Sequence, residues 1–164
     1  MNVFDFALNL EKDGKTLYEK LAHDTTAPEL KNIFTLLAAS EDEHYATLDA
    51  MRRGADPASS QSTALDKNRN IRNSFQQLLD RKDTLGVLAR DPDGFGHVIK
   101  AEEESIRMYR ELADVESNPT ARQLLLAIAA EEEKHLNMIE NIYEFVEKPD
   151  TYLAWGEFSN LQEL

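Results

Sequence analysis

Two short motifs in this chain each place a histidine three residues after a glutamate. They are Glu41-x-x-His44 and Glu132-x-x-His135. On a helix, residues three apart project from one face about one turn apart. Both pairs lie within apolar stripes that predict burial, and a buried carboxylate or imidazole is costly unless it is paired or binds a metal. The spacing therefore indicates metal ligation inside a helical protein.

The two motifs belong to a longer internal repeat, because the offset that takes Glu41 to Glu132 also aligns the rest of the two halves without a gap. Surface positions diverge at this offset, whereas core and polar positions persist. The persisting pairs are Phe4 and Phe95, Glu11 and Glu102, Tyr18 and Tyr109, Pro28 and Pro119, and His44 and His135. Two helical hairpins that share one pattern predict an all-α four-helix bundle with a pseudo-twofold axis.

Hydrophobic spacing predicts the helices that must position these residues. Thr26 is the predicted N-cap of the second bundle helix, with Glu29 closing a capping box. The four predicted helices run from Asn2 or Asp5 to His23, from Pro28 to near Gly54, from Pro92 to about Val115, and from Pro119 to about Val146. Residues 1–148 are therefore expected to form one bundle.

The remaining segments are a crossover and a tail. The repeat halves are 1–54 and 92–146, so residues 55–91 must connect them. This crossover begins with a polar linker and continues into an additional predicted helix whose apolar side carries Ile71, Phe75, Leu78 and Leu79. Residues 149–164 are expected to form a short C-terminal tail rich in aromatics, namely Tyr152, Trp155 and Phe158.

Each hairpin offers one glutamate from its first helix and a Glu-x-x-His pair from its second. The six predicted ligands are Glu11, Glu41, His44, Glu102, Glu132 and His135. This is the ligand arrangement known from di-iron and di-manganese carboxylate bundles. Glu41 and Glu132 are placed to bridge two ions, and the other four are terminal. Four carboxylates balance the charge of two divalent ions, which offsets the cost of burying these carboxylates. No catalytic residue is predicted beyond this metal site.

The helical register separates these glutamates from their acidic neighbours. Among Glu102, Glu103 and Glu104, only Glu102 lies on the apolar face, because the next two positions point about 100° and 200° away. The same reasoning assigns the neighbours of the two other motifs to a solvated face. Those neighbours are Glu43, Glu131 and Glu133. His23 and His97 fall outside the pattern and are expected near the surface.

Ligand chemistry limits which metals fit. Carboxylate oxygen with imidazole favours iron or manganese, and zinc is also compatible. Tyr18 and Tyr109 are candidates to hydrogen-bond to the ligand carboxylates, although a buried tyrosine can use any available partner. Gly14 and Ser105 occupy matching places one turn after Glu11 and Glu102. Small residues there suit either a dioxygen-sized ligand or close packing of helices.

Composition excludes several classes of protein. The 164-residue chain has a net charge of −13, which argues against nucleic acid and anionic membrane as partners. It has no cysteine, so it forms no disulfide, zinc–thiolate site or iron–sulfur cluster. No signal peptide or membrane-spanning run is recognisable in the sequence. A cytoplasmic protein is therefore expected.

The pattern Glu11-x₆-Tyr18-x₂-Leu-Ala22, followed by Leu37-Ala-x₂-Glu41-x₂-His44 and then its repeat, resembles the rubrerythrin family of the ferritin-like superfamily. The resemblance extends from residue 1 to about 146. It implies a ferritin-like four-helix bundle with two iron ions per chain. It also implies an oxidoreductase that reacts with hydrogen peroxide or dioxygen, and a homodimer.

Two departures from the family pattern matter. Full-length rubrerythrins carry a four-cysteine rubredoxin module, whereas this chain has no cysteine, so electrons would come from a separate protein such as a rubredoxin. Rubrerythrins also tend to have a further glutamate at the position of Ile99. Its absence predicts a more symmetric site. Two alternatives stay open: a ferroxidase or iron-storage protein of the ferritin type, and a helical interaction module with a vestigial ligand set.

Overall fold

The computed structural model describes residues 3–54 and 92–147, together with Asn70 and Asn73. Four long helices account for these two ranges: α1 (Val3–Asp24), α2 (Pro28–Arg52), α3 (Pro92–Val115) and α4 (Pro119–Glu147). Their bounds agree closely with those predicted from the hydrophobic spacing. No strand occurs in the described ranges. The prediction of an all-α four-helix bundle is confirmed.

The helices form two hairpins that pack on each other. α1 packs along α2 and α3 packs along α4, while α1 also contacts α3 and α2 contacts α4. A proline occupies the first turn of α2 and of α4, where it leaves no helical hydrogen bond unmade. This arrangement brings the second helices of both hairpins, which carry the Glu-x-x-His motifs, to opposite sides of one core.

The two hairpin turns begin their second helices differently. Oδ1 of Asn118 accepts hydrogen bonds from the backbone N–H groups of Thr120 and Ala121, at 2.9 and 3.2 Å. In the first hairpin the N-cap is Ala27, which makes no side-chain cap bond. The prediction that Thr26 caps α2 is therefore wrong. Thr25 acts in this turn instead, since its hydroxyl oxygen accepts the N–H of Ala27 at 3.3 Å.

Buried apolar side chains form two clusters, one toward each end of the bundle. The first includes Phe34 and Ile139, and the second includes Leu48 and Leu125. Along every helix, the buried acidic and histidine residues fall between the residues of one cluster and those of the other. The fold therefore holds a polar layer at mid-height, with apolar packing above and below it.

The predicted crossover helix, with Ile71, Phe75, Leu78 and Leu79, lies outside the described residues, as does the aromatic tail 149–164. Among the helices that the structure does describe, none combines the length and the apolar character needed to cross a membrane.

Candidate metal centre

All six predicted ligands are buried in the polar layer, with relative exposures of 4 % or less. They divide into two groups in which the ligand atoms lie within 4.8 Å of one another. The first cluster consists of Glu11, Glu41, His44 and Glu132, and the second cluster consists of Glu41, Glu102, Glu132 and His135. Glu41 and Glu132 belong to both. The repeat thus produces two adjacent four-residue groups that are joined by two carboxylates.

Glu132 lies between the two imidazoles. Its Oε1 is 2.9 Å from Nδ1 of His44, and its Oε2 is 3.0 Å from Nδ1 of His135. The two rings are nearly parallel, with centroids 5.9 Å apart and an angle of 21° between their planes. Each oxygen of one carboxylate therefore faces a different imidazole, which is the orientation expected of a bridging ligand.

The other three carboxylates surround the same two nitrogens. Nδ1 of His135 lies 3.4 Å from Oε1 of Glu41 and 3.9 Å from Oε1 of Glu102. Nδ1 of His44 lies 3.5 Å from Oε2 of Glu11. In the described part of the chain, Oε2 of Glu11 and Oε1 of Glu41 are buried without a hydrogen-bond donor. Buried carboxylate oxygens are costly in that state, and a cation between them would satisfy both.

Two fully buried tyrosines connect the hairpins. The hydroxyl of Tyr18 on α1 donates a hydrogen bond to Oε1 of Glu102 on α3. The hydroxyl of Tyr109 on α3 donates to Oε1 of Glu11 on α1. Burial, followed by the nearby charge of Glu102, raises the pKa of Tyr18 well above its ordinary value, so this hydroxyl remains a donor. Each hairpin therefore orients one buried carboxylate of the other.

Burial and mutual charge shift the pKa values of the side chains in this centre. Burial, followed by the charge of Glu132, raises the pKa values of Glu11, Glu41 and Glu102. Burial alone would raise the pKa of Glu132 too, but the charge of His44 and hydrogen bonds to both imidazoles lower it instead. Burial alone would lower the pKa of His44, yet the charge of Glu132 and neighbouring hydrogen bonds raise it. Three of the four carboxylates therefore hold a proton more tightly than an exposed glutamate does.

Gly14 makes room for one of the shared carboxylates. A Cβ atom at this position would lie 2.9 Å from Oε2 and 3.3 Å from Cδ of Glu41. Any larger side chain would therefore displace the carboxylate of Glu41. The sequence suggested that this glycine leaves space for a dioxygen-sized molecule or allows close packing of helices. In the structure, the carboxylate of Glu41 lies against it instead. Its counterpart Ser105 is also buried.

The position of Glu131 differs from the prediction, which placed this residue on a solvated face. Its Oε2 lies 2.9 Å from Nε2 of His44, on the side of the ring away from the clusters, and its side chain is only 21 % exposed. A residue adjacent to a ligand points about 100° around the helix, and in α4 that direction faces α2 rather than solvent. Glu133, in contrast, pairs with Arg110 at the surface. His23 and His97 are exposed, as predicted.

Comparison with known proteins agrees with this geometry. A model of the rubrerythrin family matches residues 2–143, which include all six predicted ligands and both tyrosines. No curated protein and no solved structure matches the chain. Ile99, at the position where rubrerythrins tend to carry a further glutamate, is partly buried against the first apolar cluster. Because the match spans nearly all of the bundle, the chain belongs to the rubrerythrin family.

Proposed function

We propose that the first and second clusters of candidate ligands, as distinct from the apolar clusters, hold two divalent first-row metal ions side by side. The observation that carries this proposal is the position of Glu132, whose two oxygens face the Nδ1 atoms of His44 and His135 at 2.9 and 3.0 Å. A single acceptor between two imidazoles suits a ligand shared by two ions. Glu41 is the second shared ligand, because it also belongs to both clusters.

The donor set fits such a pair in charge and in chemistry. Four carboxylates offset the charge of two divalent cations, and oxygen with imidazole suits iron or manganese, with zinc also compatible. The two buried oxygens of Glu11 and Glu41 that lack a hydrogen-bond donor in the described residues are the atoms that a cation would satisfy. The pKa values of three of these carboxylates are raised, which gives the same indication, since a cation would compete with a proton for each of them.

We further propose an oxidoreductase that reduces hydrogen peroxide or dioxygen. A bound Fe(II) pair would supply two electrons, one from each ion. The chain itself sets the geometry: Tyr18 and Tyr109 donate hydrogen bonds that hold the terminal carboxylates Glu102 and Glu11 in place. The apolar clusters above and below the polar layer exclude bulk water. Because the chain has no cysteine, the proposal includes a separate electron donor such as a rubredoxin.

Metal content per chain tests the first proposal. Protein purified without chelator and without oxygen should contain about two iron or manganese ions per chain, the number that two clusters sharing two carboxylates can hold. The Glu132→Gln variant, which keeps the side-chain shape but loses the shared charge, should lose at least one ion. The matched control is Glu103→Gln on the exposed side of α3, which should keep both. A wild-type protein that binds no added Fe(II) would overturn the proposal.

The redox proposal needs a second measurement. Anaerobic protein loaded with Fe(II) should be oxidised on mixing with hydrogen peroxide, at two Fe(II) consumed per peroxide reduced to water. Light scattering should give a homodimer, as we also propose for this chain. A particle of about 24 subunits that takes up many irons per chain would instead favour the ferritin-type alternative of iron storage.

A further inference from the structure

Nothing in the six-ligand set accounts for the contact between Glu131 and His44. The imidazole of His44 is held on both of its nitrogens. Nδ1 faces the first cluster, 2.9 Å from Glu132 and 3.5 Å from Glu11. Nε2 faces the opposite way, 2.9 Å from Oε2 of Glu131. One ring therefore connects a candidate metal position to a carboxylate that is not itself part of either cluster.

This contact suits a positioning role. If Nδ1 binds a metal through its lone pair, the ring proton must reside on Nε2, which can then donate a hydrogen bond to Glu131. A carboxylate acceptor fixes both the tautomer and the ring orientation, and it increases the basicity of the imidazole. The bond is also long-range within the fold, because Glu131 lies on α4 and His44 lies on α2. It therefore fixes one histidine against the opposite hairpin.

The repeat does not supply this contact twice. The offset that takes Glu41 to Glu132 takes Ser40 to Glu131, so the second hairpin has a carboxylate where the first has a buried serine. Within the ranges 3–54 and 92–147, no acidic side chain lies within ion-pair distance of Nε2 of His135. The six ligands and both tyrosines obey the repeat, and this position breaks it.

We propose that Glu131 is a positioning residue for His44 and that it makes the two metal positions unequal, the first cluster binding its divalent cation more tightly than the second. This inference rests on the proposed function, since it assigns different affinities to the two halves of that centre. A serine hydroxyl carries no charge, so it cannot increase the basicity of an imidazole as a carboxylate does. The six candidate ligands are symmetric between the two hairpins, and the asymmetry comes from Glu131, which is not one of them.

Calorimetric titration with Co(II) tests this on the full chain after chelator treatment, in the absence of oxygen. Wild-type protein should bind two ions in two steps of unequal affinity. Glu131→Ala should weaken the tighter step by about 10- to 100-fold, with little effect on the weaker one. Glu131→Gln, which keeps an acceptor for Nε2–H but loses the charge, should fall between the two. The control is Glu133→Ala, whose partner is Arg110 at the surface; it should change neither step.

Proton NMR of the Co(II)-loaded protein provides a readout that a general loss of stability would not move. The Nε2–H proton of a cobalt-bound imidazole is shifted far from the diamagnetic region. Hydrogen bonding to Glu131 should protect the His44 proton from exchange with solvent. This signal should broaden or disappear in Glu131→Ala, persist in Glu131→Gln, and be unchanged in Glu133→Ala. The signal of the second histidine should not respond to any of these variants.

The outcomes separate the two proposals. In one outcome the protein binds two Co(II) ions, and Glu131→Ala either leaves both affinities unchanged or weakens both equally. This outcome would overturn the positioning role while leaving the metal centre intact. A selective loss at the weaker step would also overturn it, because the wrong cluster would depend on Glu131. Failure of the wild-type chain to bind Co(II) would remove the metal centre and this inference together.

Discussion

Replacing Gly14 by alanine tests how closely the bundle is fitted to the shared carboxylate of Glu41. The added methyl group would lie 2.9 Å from Oε2 and 3.3 Å from Cδ of that side chain. Both distances are shorter than ordinary van der Waals contact, so one of the two groups must move. The backbone of α1 is fixed by its packing against α2 and α3, whereas the end of a glutamate side chain can rotate. We therefore expect Glu41 to move and the helix to stay.

The expected effect on the metal-free protein is small, because two contributions oppose each other. Alanine in place of glycine within a helix stabilises the fold by about 0.5–1 kcal/mol. A glutamate forced about 30° from a favoured rotamer loses about 0.5–1.5 kcal/mol. The free energy of unfolding should therefore change by less than about 1 kcal/mol. Metal binding should suffer more, since Glu41 belongs to both clusters; we expect affinity to fall by about tenfold or more at each position.

Denaturant unfolding and metal titration of the same variant check these two numbers. Gly96→Ala is the matched control, because Gly96 also lies in a helix but a Cβ there meets no atom of another described helix within 4 Å. It should gain stability and keep wild-type metal affinity. Unchanged metal affinity in Gly14→Ala would refute the reasoning that this glycine positions Glu41. A loss of stability well above 1 kcal/mol would show that α1, rather than the side chain, has moved.

Two further predictions concern the metal-free protein. Three of the four buried glutamates have pKa values raised above their ordinary 4.5, and that of His44 is raised above 6.5, so above about pH 5 the folded state binds more protons than the unfolded state. The extra bound protons stabilise the folded state below the ordinary pKa values, and this stabilisation is lost as pH rises. The melting temperature should therefore fall between about pH 5 and 8, and added metal should restore it. A melting temperature that rises over this range, or that metal does not restore, would contradict the argument. Tyr109→Phe removes the hydrogen bond to Glu11 without creating a cavity and should lower the free energy of unfolding by about 1–3 kcal/mol. Urea unfolding checks this, and a change below about 0.5 kcal/mol would mean that the hydroxyl is not an essential donor.

Much of the candidate centre could be predicted because each candidate ligand obeys two patterns at once. Glu11 and Glu102 lie on apolar helix faces and also repeat at one offset, and Glu41 and Glu132 do the same. Helical periodicity alone selects the face, and the repeat selects the residue on it. The four helices followed from the same spacing, with proline at the start of α2 and of α4. Patterns that lie within one helix, or recur between two, are visible in a sequence.

Features that depend on a neighbouring helix were not predictable in this way. A helical-wheel projection of α4 places Glu131 on the solvated face, because the projection does not show that His44 of α2 lies next to it. The space beside Gly14 proved to be filled by Glu41 of the next helix. The cap of α2 was mispredicted for a local reason, since the residue type of Thr26 favours a cap but the backbone places Ala27 at the cap position.

The crossed hydrogen bonds of the two tyrosines have a consequence for how the protein is made. Ribosomal synthesis delivers the first hairpin while the second is still absent. That hairpin carries Glu11, Glu41 and His44, yet it lacks Glu132 of the first cluster and the hydroxyl of Tyr109 that holds Glu11. A growing chain therefore has no complete position for a cation until α4 has been synthesised and has docked. If the proposed centre binds metal, the cation would therefore be captured only after the second hairpin has docked on the first.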